Sequence, residues 1–227
     1  DVNTMRALEE ALENFPGLPG LPYFEIRPSK NDQQLNGVST FDLVQINKQI
    51  LGKTPFQAPW QFIAADANSS GTITTFDIVE LRKLILGVYD SLPNSPSWVF
   101  SPAFDTISPV ACPEFTAIKR GDVNGNANPD SLLVSDDRGA VQWPFGLNDL
   151  YLQSGQHYSI PIQTDQNGVW TGFQGAIRYD PAALELLQVH SEQLSGWEQD
   201  SWFAQNGRLS WSWFAAEPVE ILAKTPV

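Results

Sequence analysis

The chain has 227 residues, with 13 Lys or Arg against 26 Asp or Glu, so its formal net charge is -13. Such an acidic surface repels phosphate backbones, which argues against nucleic acid and favours cations or basic protein patches as partners; solubility alone is the other interpretation. One cysteine, Cys112, excludes an internal disulfide framework, the two histidines are too few for a Cys/His zinc site, and no apolar stretch approaches the roughly 20 residues of a membrane helix.

The N-terminal segment predicts a short helix followed by a strand. Residues 4–13, TMRALEEALE, are strong helix formers, and the Pro- and Gly-rich sequence FPGLPGLP ends that helix. Residues 23–27, YFEIR, alternate apolar and polar side chains as a half-buried strand does. We interpret residues 1–29 as the end of a preceding domain or a linker, and the abrupt start as a sign of a longer protein.

A repeat dominates the next segment. The sequence STFDLVQINKQILG at 39–52 returns as TTFDIVELRKLILG at 74–87, with Phe, Asp, Val, Lys, Ile, Leu and Gly at the same offsets. Each copy has the spacing of an amphipathic helix that needs a partner to bury its apolar side. We therefore predict a paired-helix module at 30–125, which includes an irregular Pro- and Ser-rich tail, and a linker at 126–138.

The remaining sequence predicts strands. YSIPIQ, WTGFQGAIRY, LELLQV and RLSWSWF are rich in aromatic and aliphatic residues, and turn signals stand between them at Asp180-Pro181 and Asn206-Gly207. This pattern predicts an antiparallel β-sandwich at 139–227 that is incomplete at its C-terminus. The fold class is then α+β and multidomain, with a small all-α helix pair and an antiparallel sandwich.

The loop before the second helix has the spacing of an EF-hand calcium loop. Oxygen-bearing side chains stand at positions one, three, five, nine and twelve, and Gly71 at position six allows the sharp turn. Calcium prefers 6–8 oxygen ligands, which a tightly curled loop supplies from alternate residues. A helix capping box at Thr74-x-x-Asp77 is the alternative explanation of the last two side chains. The predicted ligands, including the Thr72 carbonyl, are Asp66, Asn68, Ser70, Thr72, Thr74 and Asp77.

The loop before the first helix is irregular. Gly37 stands one position late, and Leu35 occupies a place that should carry oxygen. We predict a second calcium site there, and the alternative is a degenerate loop kept for packing. The segment 122–126, DVNGN, has a similar spacing, but no amphipathic helix follows it, so we interpret it as a polar turn. The predicted ligands of the first loop are Asn31, Asp32, Asn36 and Asp42.

Two calcium loops that each lead into one helix, with no helix before them, resemble a type I dockerin module, and ADANSSGTITTFDIVELRKLILG is the strongest match. The resemblance implies two bound calcium ions and docking onto a cohesin-like domain. The family's recognition positions correspond here to Thr40 and Lys48 in the first repeat and to Thr75 and Lys83 in the second. Solvated lysines are the alternative explanation for Lys48 and Lys83.

The strand-rich half resembles the opening strands of a cohesin-like or carbohydrate-binding-module-like sandwich. The run that carries the resemblance is YSIPIQTDQNGVWTGFQGAIRYDPAALELLQV. In the later stretch SWSW, Trp211 and Trp213 share one face of a strand. That face is either part of the core or a flat platform for sugar rings.

We find no catalytic motif: neither a G-x-S-x-G elbow nor a phosphate-binding Gly loop is present. The sequence therefore predicts a non-enzymatic, calcium-binding assembly or adhesion module of a secreted or cell-surface bacterial protein. Its partner would be a cohesin-like domain or another copy of the chain, arranged head to tail in a filament. The alternatives are a carbohydrate-binding module of a polysaccharide-degrading or adhesive protein, with the repeats as a rigid spacer, and a purely structural spacer.

Overall fold

A computed structural model describes residues 24–107, 113–129, 145–146, 150–224 and 226. The predicted helix at 4–13, Cys112 and most of the predicted linker at 126–138 lie outside these residues. The described chain combines α-helices with antiparallel sheets, so the α+β class is confirmed. Contacts divide it into one unit of Asp1–Ser29 with Phe100–Ala117 and another of Lys30–Val99 with Ile118–Val227.

The smaller unit contains a short antiparallel ribbon. Strand β1 (Phe24–Ile26) pairs with β3 (Asp105–Ile107), so the strand predicted at 23–27 is confirmed. The Arg27 guanidinium lies 4.6 Å from the centroid of the Phe104 ring, a cation–π contact. Strand β2 (Trp98–Ser101) pairs with β4 (Thr116–Lys119).

Three helices lie among the described residues of the larger unit. Helices α1 (Thr40–Ile50) and α3 (Thr75–Leu86) are the two predicted repeats. Helix α2 (Pro59–Ala65) was not predicted; it begins at a proline and ends where the loop at 66–77 begins. The Gln61 side chain stabilises its start by accepting hydrogen bonds from the Gln57 and Ala58 amides. The expectation that no helix precedes the second loop is therefore wrong. A helix of seven residues is too short to give a clear periodic pattern in the sequence.

The apolar faces of the repeats pack on each other, as the repeat predicts. Leu43 and Ile46 of α1 and Leu81 and Ile85 of α3 belong to one buried cluster. Ala64 and Ala65 of α2, Val123 and Ile118 join them. Each helix thus buries its apolar stripe against its counterpart, which neither could do alone.

The second half of the larger unit is an antiparallel sheet. Strands β7 (Gly168–Arg178), β8 (Trp202–Gln205) and β9 (Arg208–Ile221) take the order β7-β9-β8, and a 3-10 turn (Gln199–Ser201) precedes β8. Strands β5 (Phe145–Gly146) and β6 (Gln163–Thr164) form a separate two-stranded antiparallel sheet. Asn206 and Gly207, with φ of 52° and 73°, form the two-residue turn between β8 and β9, so the predicted turn there is confirmed.

Two of the predicted strands differ from the structure. Only the last residue of YSIPIQ is in a strand, and LELLQV at 184–189 is in none. The Asp180 carbonyl accepts hydrogen bonds from the Ala183 and Leu184 amides, so the chain turns where the aliphatic pattern favoured extension. The sandwich stays a prediction, and so does the linker at 126–138. Phe214 of β9 packs against the helical cluster, and the contacts group the helical half and the sheet half in one unit. None of the described helices is both long and apolar enough to cross a bilayer.

Candidate metal centre

The loop at 66–77 curls around the carboxylate of its first residue. Asp66 Oδ1 accepts a hydrogen bond from the Ser70 amide at 2.9 Å, and its Oδ2 accepts one from the Gly71 amide at 3.0 Å. Gly71 has a φ of +79°, which side-chain-bearing residues rarely adopt. The glycine predicted to allow the sharp turn is therefore at the turn.

The last residue of the loop, Asp77, closes it from the other end. Its side chain is 0% exposed; Oδ2 accepts from the Thr74 amide at 2.8 Å, and Oδ1 accepts from the Asn68 amide at 3.2 Å. The bond to Thr74 belongs to a capping box, but the bond to Asn68 joins the two ends of the loop and capping does not require it. The Ser70 hydroxyl lies 3.1 Å from the Thr72 carbonyl oxygen. The loop thus brings together all six predicted ligands, and we call it the continuous centre.

A buried arginine lies beside the continuous centre. Arg120 Nη1 is 3.9 Å from Asp66 Oδ2, and the guanidinium also donates to the Asp66 carbonyl and to the Ser69 hydroxyl. Burial lowers the pKa of Arg120, whereas the charges of Asp66 and Asp77 act in the opposite direction. The guanidinium offsets part of the negative charge, so a divalent cation gains less here than in an equivalent loop without an arginine.

Asp42, at the start of α1, meets a distant part of the chain. Its side chain is 0% exposed; Oδ2 accepts from the Ser39 amide at 2.9 Å, and Oδ1 accepts from the Val123 amide at 3.0 Å, 81 residues away in sequence. The neighbouring Asp122 is 3% exposed and accepts from the Gly125 and Ala127 amides at 2.7 and 2.8 Å. Two buried carboxylates therefore come together from separate segments.

The segment 122–126 repeats the hydrogen bonding of the first half of the continuous centre. Asp122 also accepts from the Asn126 amide, as Asp66 accepts from Ser70, and Asn124 Oδ1 accepts from Asn126 at 3.0 Å, as Asn68 Oδ1 accepts from Ser70 at 3.0 Å. Residues 37–42 correspond in the repeat to the second half of that centre. Together they make a loop assembled from two segments, which we call the split centre.

The close crossing of these two segments depends on Gly37. A Cβ on Gly37 would lie 2.7 Å from atoms of Ala127, and Gly37 has a φ of +72°. The Asn36 side-chain Nδ2 donates to the Asn128 carbonyl at 2.6 Å, and the Asn128 backbone amide donates to Asn36 Oδ1 at 3.1 Å. Gly37 stands one position late for a continuous loop, but it lies at the point where the two segments cross and where a Cβ would clash.

The ligands predicted for the first loop need correction. Asn31 Oδ1 accepts from the Ser97 amide at 2.9 Å, the exposed Asp32 pairs with Lys30 at 3.3 Å, and Asn36 bonds to Asn128. Only Asp42 belongs to the split centre, because Leu35 packs against the helical cluster and takes the intervening loop away from it. The residues that the prediction missed are Asp122, Asn124 and Asn126. Their spacing, the same as that of Asp66, Asn68 and Ser70, was the available signal.

The donors of both centres are of the kind that hard cations prefer. Within the described residues, no three Asp, Glu, His or Cys side chains form a metal-binding group. The continuous centre instead combines two carboxylates with amide, hydroxyl and carbonyl oxygens, and the split centre combines two carboxylates with the side-chain amides of Asn124 and Asn126. Both sets of oxygen donors suit calcium better than zinc. The donor set therefore fits the predicted ion.

The electrostatics of the split centre indicate that its negative charge is incompletely balanced. Burial, and then the charge of Asp122, raise the pKa of Asp42 to about 7. The buried Lys119, whose Nζ donates to the Gln34 carbonyl at 2.8 Å, has a pKa lowered by burial to about 8. Two carboxylates held together in a buried position are expected to favour a bound cation over a proton near neutral pH.

The shifted pKa of Asp42 predicts a pH dependence of the metal-free chain. Because about 7 lies above the roughly 3.9 of an unfolded aspartate, the folded chain binds this proton more tightly. This group therefore removes stability as the pH rises from about 4 to about 7. In chelator, thermal melts at about pH 5 and about pH 7.5 should show a larger loss of stability for the wild type than for Asp42→Asn. Equal losses would contradict the prediction, and Asp32→Asn, at an exposed carboxylate, is the matched control.

Comparison of the chain with protein-family models, curated proteins and solved structures gives no match. The dockerin-like and cohesin-like resemblances therefore stay predictions.

The four predicted partner-binding residues have different surroundings. Thr40 is buried and bonds to Gln174 and Ser212 of the sheet, whereas Thr75 is exposed. Lys48 is half-buried, and Lys83 Nζ lies 3.2 Å from the Tyr89 hydroxyl and 3.7 Å from Glu80. The first repeat therefore does not present Thr40 to solvent, which corrects its prediction as a partner contact.

The two tryptophans proposed as a sugar platform are part of the interior. Trp211 is buried against Gly175, and Trp213 is 1% exposed and packs on Phe173, with its Nε1 donating to the Ser195 carbonyl at 3.0 Å. Stacking on a sugar requires an exposed ring face, which neither side chain has. The core interpretation therefore applies to both.

Proposed function

We propose that the chain is a non-enzymatic, calcium-stabilised assembly module of an extracellular or cell-surface bacterial protein. The observation that carries the proposal is that each repeat helix has a fully buried carboxylate in its first turn, Asp42 or Asp77, facing a curled segment of polar oxygens. Such charges are costly to bury without a counter-ion, and the oxygens around them suit a hard divalent cation.

Calcium, when bound, adds positive charge to the paired carboxylates of each centre, beyond the part that Arg120 offsets in the continuous centre. The continuous centre would hold it with the six residues predicted from the sequence, and the split centre with Asp42, Asp122, Asn124 and Asn126. These residues fix the starts of α1 and α3, and so orient the apolar faces that form the helical cluster. Since the unfolded chain has no preformed centre, the free energy of ion binding adds to the free energy of folding.

The helix pair would then present a protein-binding surface. Thr75 is exposed at the start of α3, and Phe76 beside it is 72% exposed, with Lys83 further along the same helix. An exposed aromatic residue next to a hydroxyl, with a cation about two turns further along the same helix, is the composition of a protein-recognition surface. The resemblance to dockerins favours a cohesin-like domain, or another copy of this chain, as the partner.

Thermal melts with calcium and with chelator test the proposal. With calcium at about 100 times its dissociation constant, a site that exists only in the folded chain adds about 2.7 kcal/mol of stability. We therefore expect a clear rise in melting temperature for the wild type and a smaller one for Asp77→Asn, which keeps the size of the side chain but removes its charge. Identical melting curves of the wild type in the two solutions would refute calcium stabilisation; magnesium at the same concentration is the control for ionic strength.

A further inference from the structure

The first repeat is hydrogen-bonded to the chain's own sheet. Gln174 Oε1 of β7 accepts from the Thr40 amide and from the Thr40 hydroxyl, both at 2.8 Å. The Thr40 hydroxyl also lies 2.7 Å from that of Ser212 on β9, and Thr40 and Ser212 are both buried. Thr40 therefore has its polar groups satisfied within the chain.

Charged contacts extend this interface on both sides. Lys53, which follows α1, pairs with Glu217 of β9, and the charge of Lys48 also contributes to lowering the pKa of Glu217. Arg82 of α3 pairs with Asp200 at 2.9 Å and lies 4.7 Å from the centroid of the Phe214 ring. Of the two predicted recognition residues of the first repeat, Thr40 contacts β9 directly, through Ser212.

A glycine in β7 allows the helix to approach the sheet. A Cβ on Gly172 would lie 3.0 Å from Phe214 Cβ and 3.2 Å from Thr40 Cγ2. Phe214, on the same side of β9 as Ser212, packs against the helical cluster. The sheet therefore has two packed faces. On one side Trp213 belongs to a buried cluster with Trp170 and Leu194, and on the other side Phe214 contacts the helices.

We propose that the sheet β7–β9 is the intramolecular partner of the first repeat, so that it occupies the recognition surface that the repeat would otherwise present to another molecule. The duplication gives the second repeat the same residue types at the same positions, but Thr75 is exposed where its counterpart Thr40 is buried. The neighbouring Phe41 and Phe76 are exposed in both repeats, so the difference lies at the threonines. The chain then offers one recognition surface to an external partner, on α3, and binds one partner molecule through the repeats. That the covered face of the first repeat is a recognition surface rests on the proposed function. That the sheet covers Thr40 does not rest on it.

Thiol labelling of the full chain tests the occupation. In a Cys112→Ser background, Thr40→Cys and Thr75→Cys place a thiol at equivalent positions of the two repeats. We expect the thiol at position 75 to react with a maleimide at the rate of an exposed cysteine and the thiol at position 40 at least about tenfold more slowly, because labelling there requires local opening. Equal rates would overturn the proposal.

A second variant tests whether the sheet is what covers position 40. Gly172→Val, added to Thr40→Cys, would push the sheet from the helix and should raise the labelling rate severalfold, while the rate at position 75 stays the same. Gly146→Val is the matched control, since a Cβ there meets nothing within 4 Å. No acceleration by Gly172→Val, or the same acceleration by both valines, would overturn the proposal. No calcium or partner is needed for this measurement, so its failure is distinguishable from failure of the proposed function.

Discussion

Replacing Trp213 with alanine is expected to lower the free energy of unfolding by about 3–5 kcal/mol. The indole is 1% exposed and belongs to a buried cluster with Trp170, Leu194 and Ile221. The substitution removes this packing, leaves a cavity, and deprives the Ser195 carbonyl of the Nε1 donor. Chemical denaturation with constant calcium measures the change.

The control for this prediction is Tyr151→Ala, at an aromatic residue that is 100% exposed. That variant should change stability by less than about 0.5 kcal/mol. If Trp213→Ala left stability unchanged and abolished binding to an insoluble polysaccharide, the ring would be a sugar platform and the core assignment would fail. The measurement thus separates the two interpretations that the sequence left open.

Replacing Asp122 with alanine should reduce the calcium stoichiometry from two ions to one. The substitution removes one of the two carboxylates of the split centre and does not alter the residues of the continuous centre. It also leaves the amides of Gly125 and Ala127 without their acceptor, at a cost of about 1–3 kcal/mol for each one that stays buried, whereas the Asn126 amide keeps Asn124 Oδ1. Isothermal titration calorimetry gives the stoichiometry, and denaturation in chelator gives the part of the loss that does not depend on calcium.

Asp32→Ala is the matched variant, because Asp32 was a predicted ligand of the first loop but lies exposed beside Lys30. It should retain two ions and nearly all of the stability. A loss of one ion with Asp32→Ala, and none with Asp122→Ala, would show that the second calcium site lies in the first loop and not in the split centre. Asp77→Asn should also leave one ion, held by the split centre.

The difference between the two centres shows what a sequence can reveal. The continuous centre depends on residues within one loop, so the spacing of Asp66, Asn68, Ser70 and Gly71 was enough to predict its conformation. The split centre depends on a contact across 81 residues. Its two halves are each visible in the sequence, but nothing local indicates that they meet. Because no amphipathic helix directly follows 122–126, the local pattern there predicts only a polar turn.

The strand-rich half shows the same limit. The Asn206-Gly207 turn and the strands β7 and β9 follow from local turn and alternation signals. Alternation alone placed Trp211 and Trp213 on one face but did not say which face of the sheet is buried. Here both faces are covered near Trp213 and Phe214, because the helices pack on the side that an isolated sheet would expose.

The split centre also affects the order in which the chain can fold. The continuous centre closes a loop of about a dozen residues, whereas the split centre requires a loop of about 80, and the entropy cost of closure increases with loop length. Contacts between distant residues slow folding. Under the proposed function, one ion would therefore have a place to bind early, and the other only after residues 122–126 have returned to α1. The late ion would then lock the finished arrangement, in which Asp42 of α1 accepts a hydrogen bond from the Val123 amide of the returned segment.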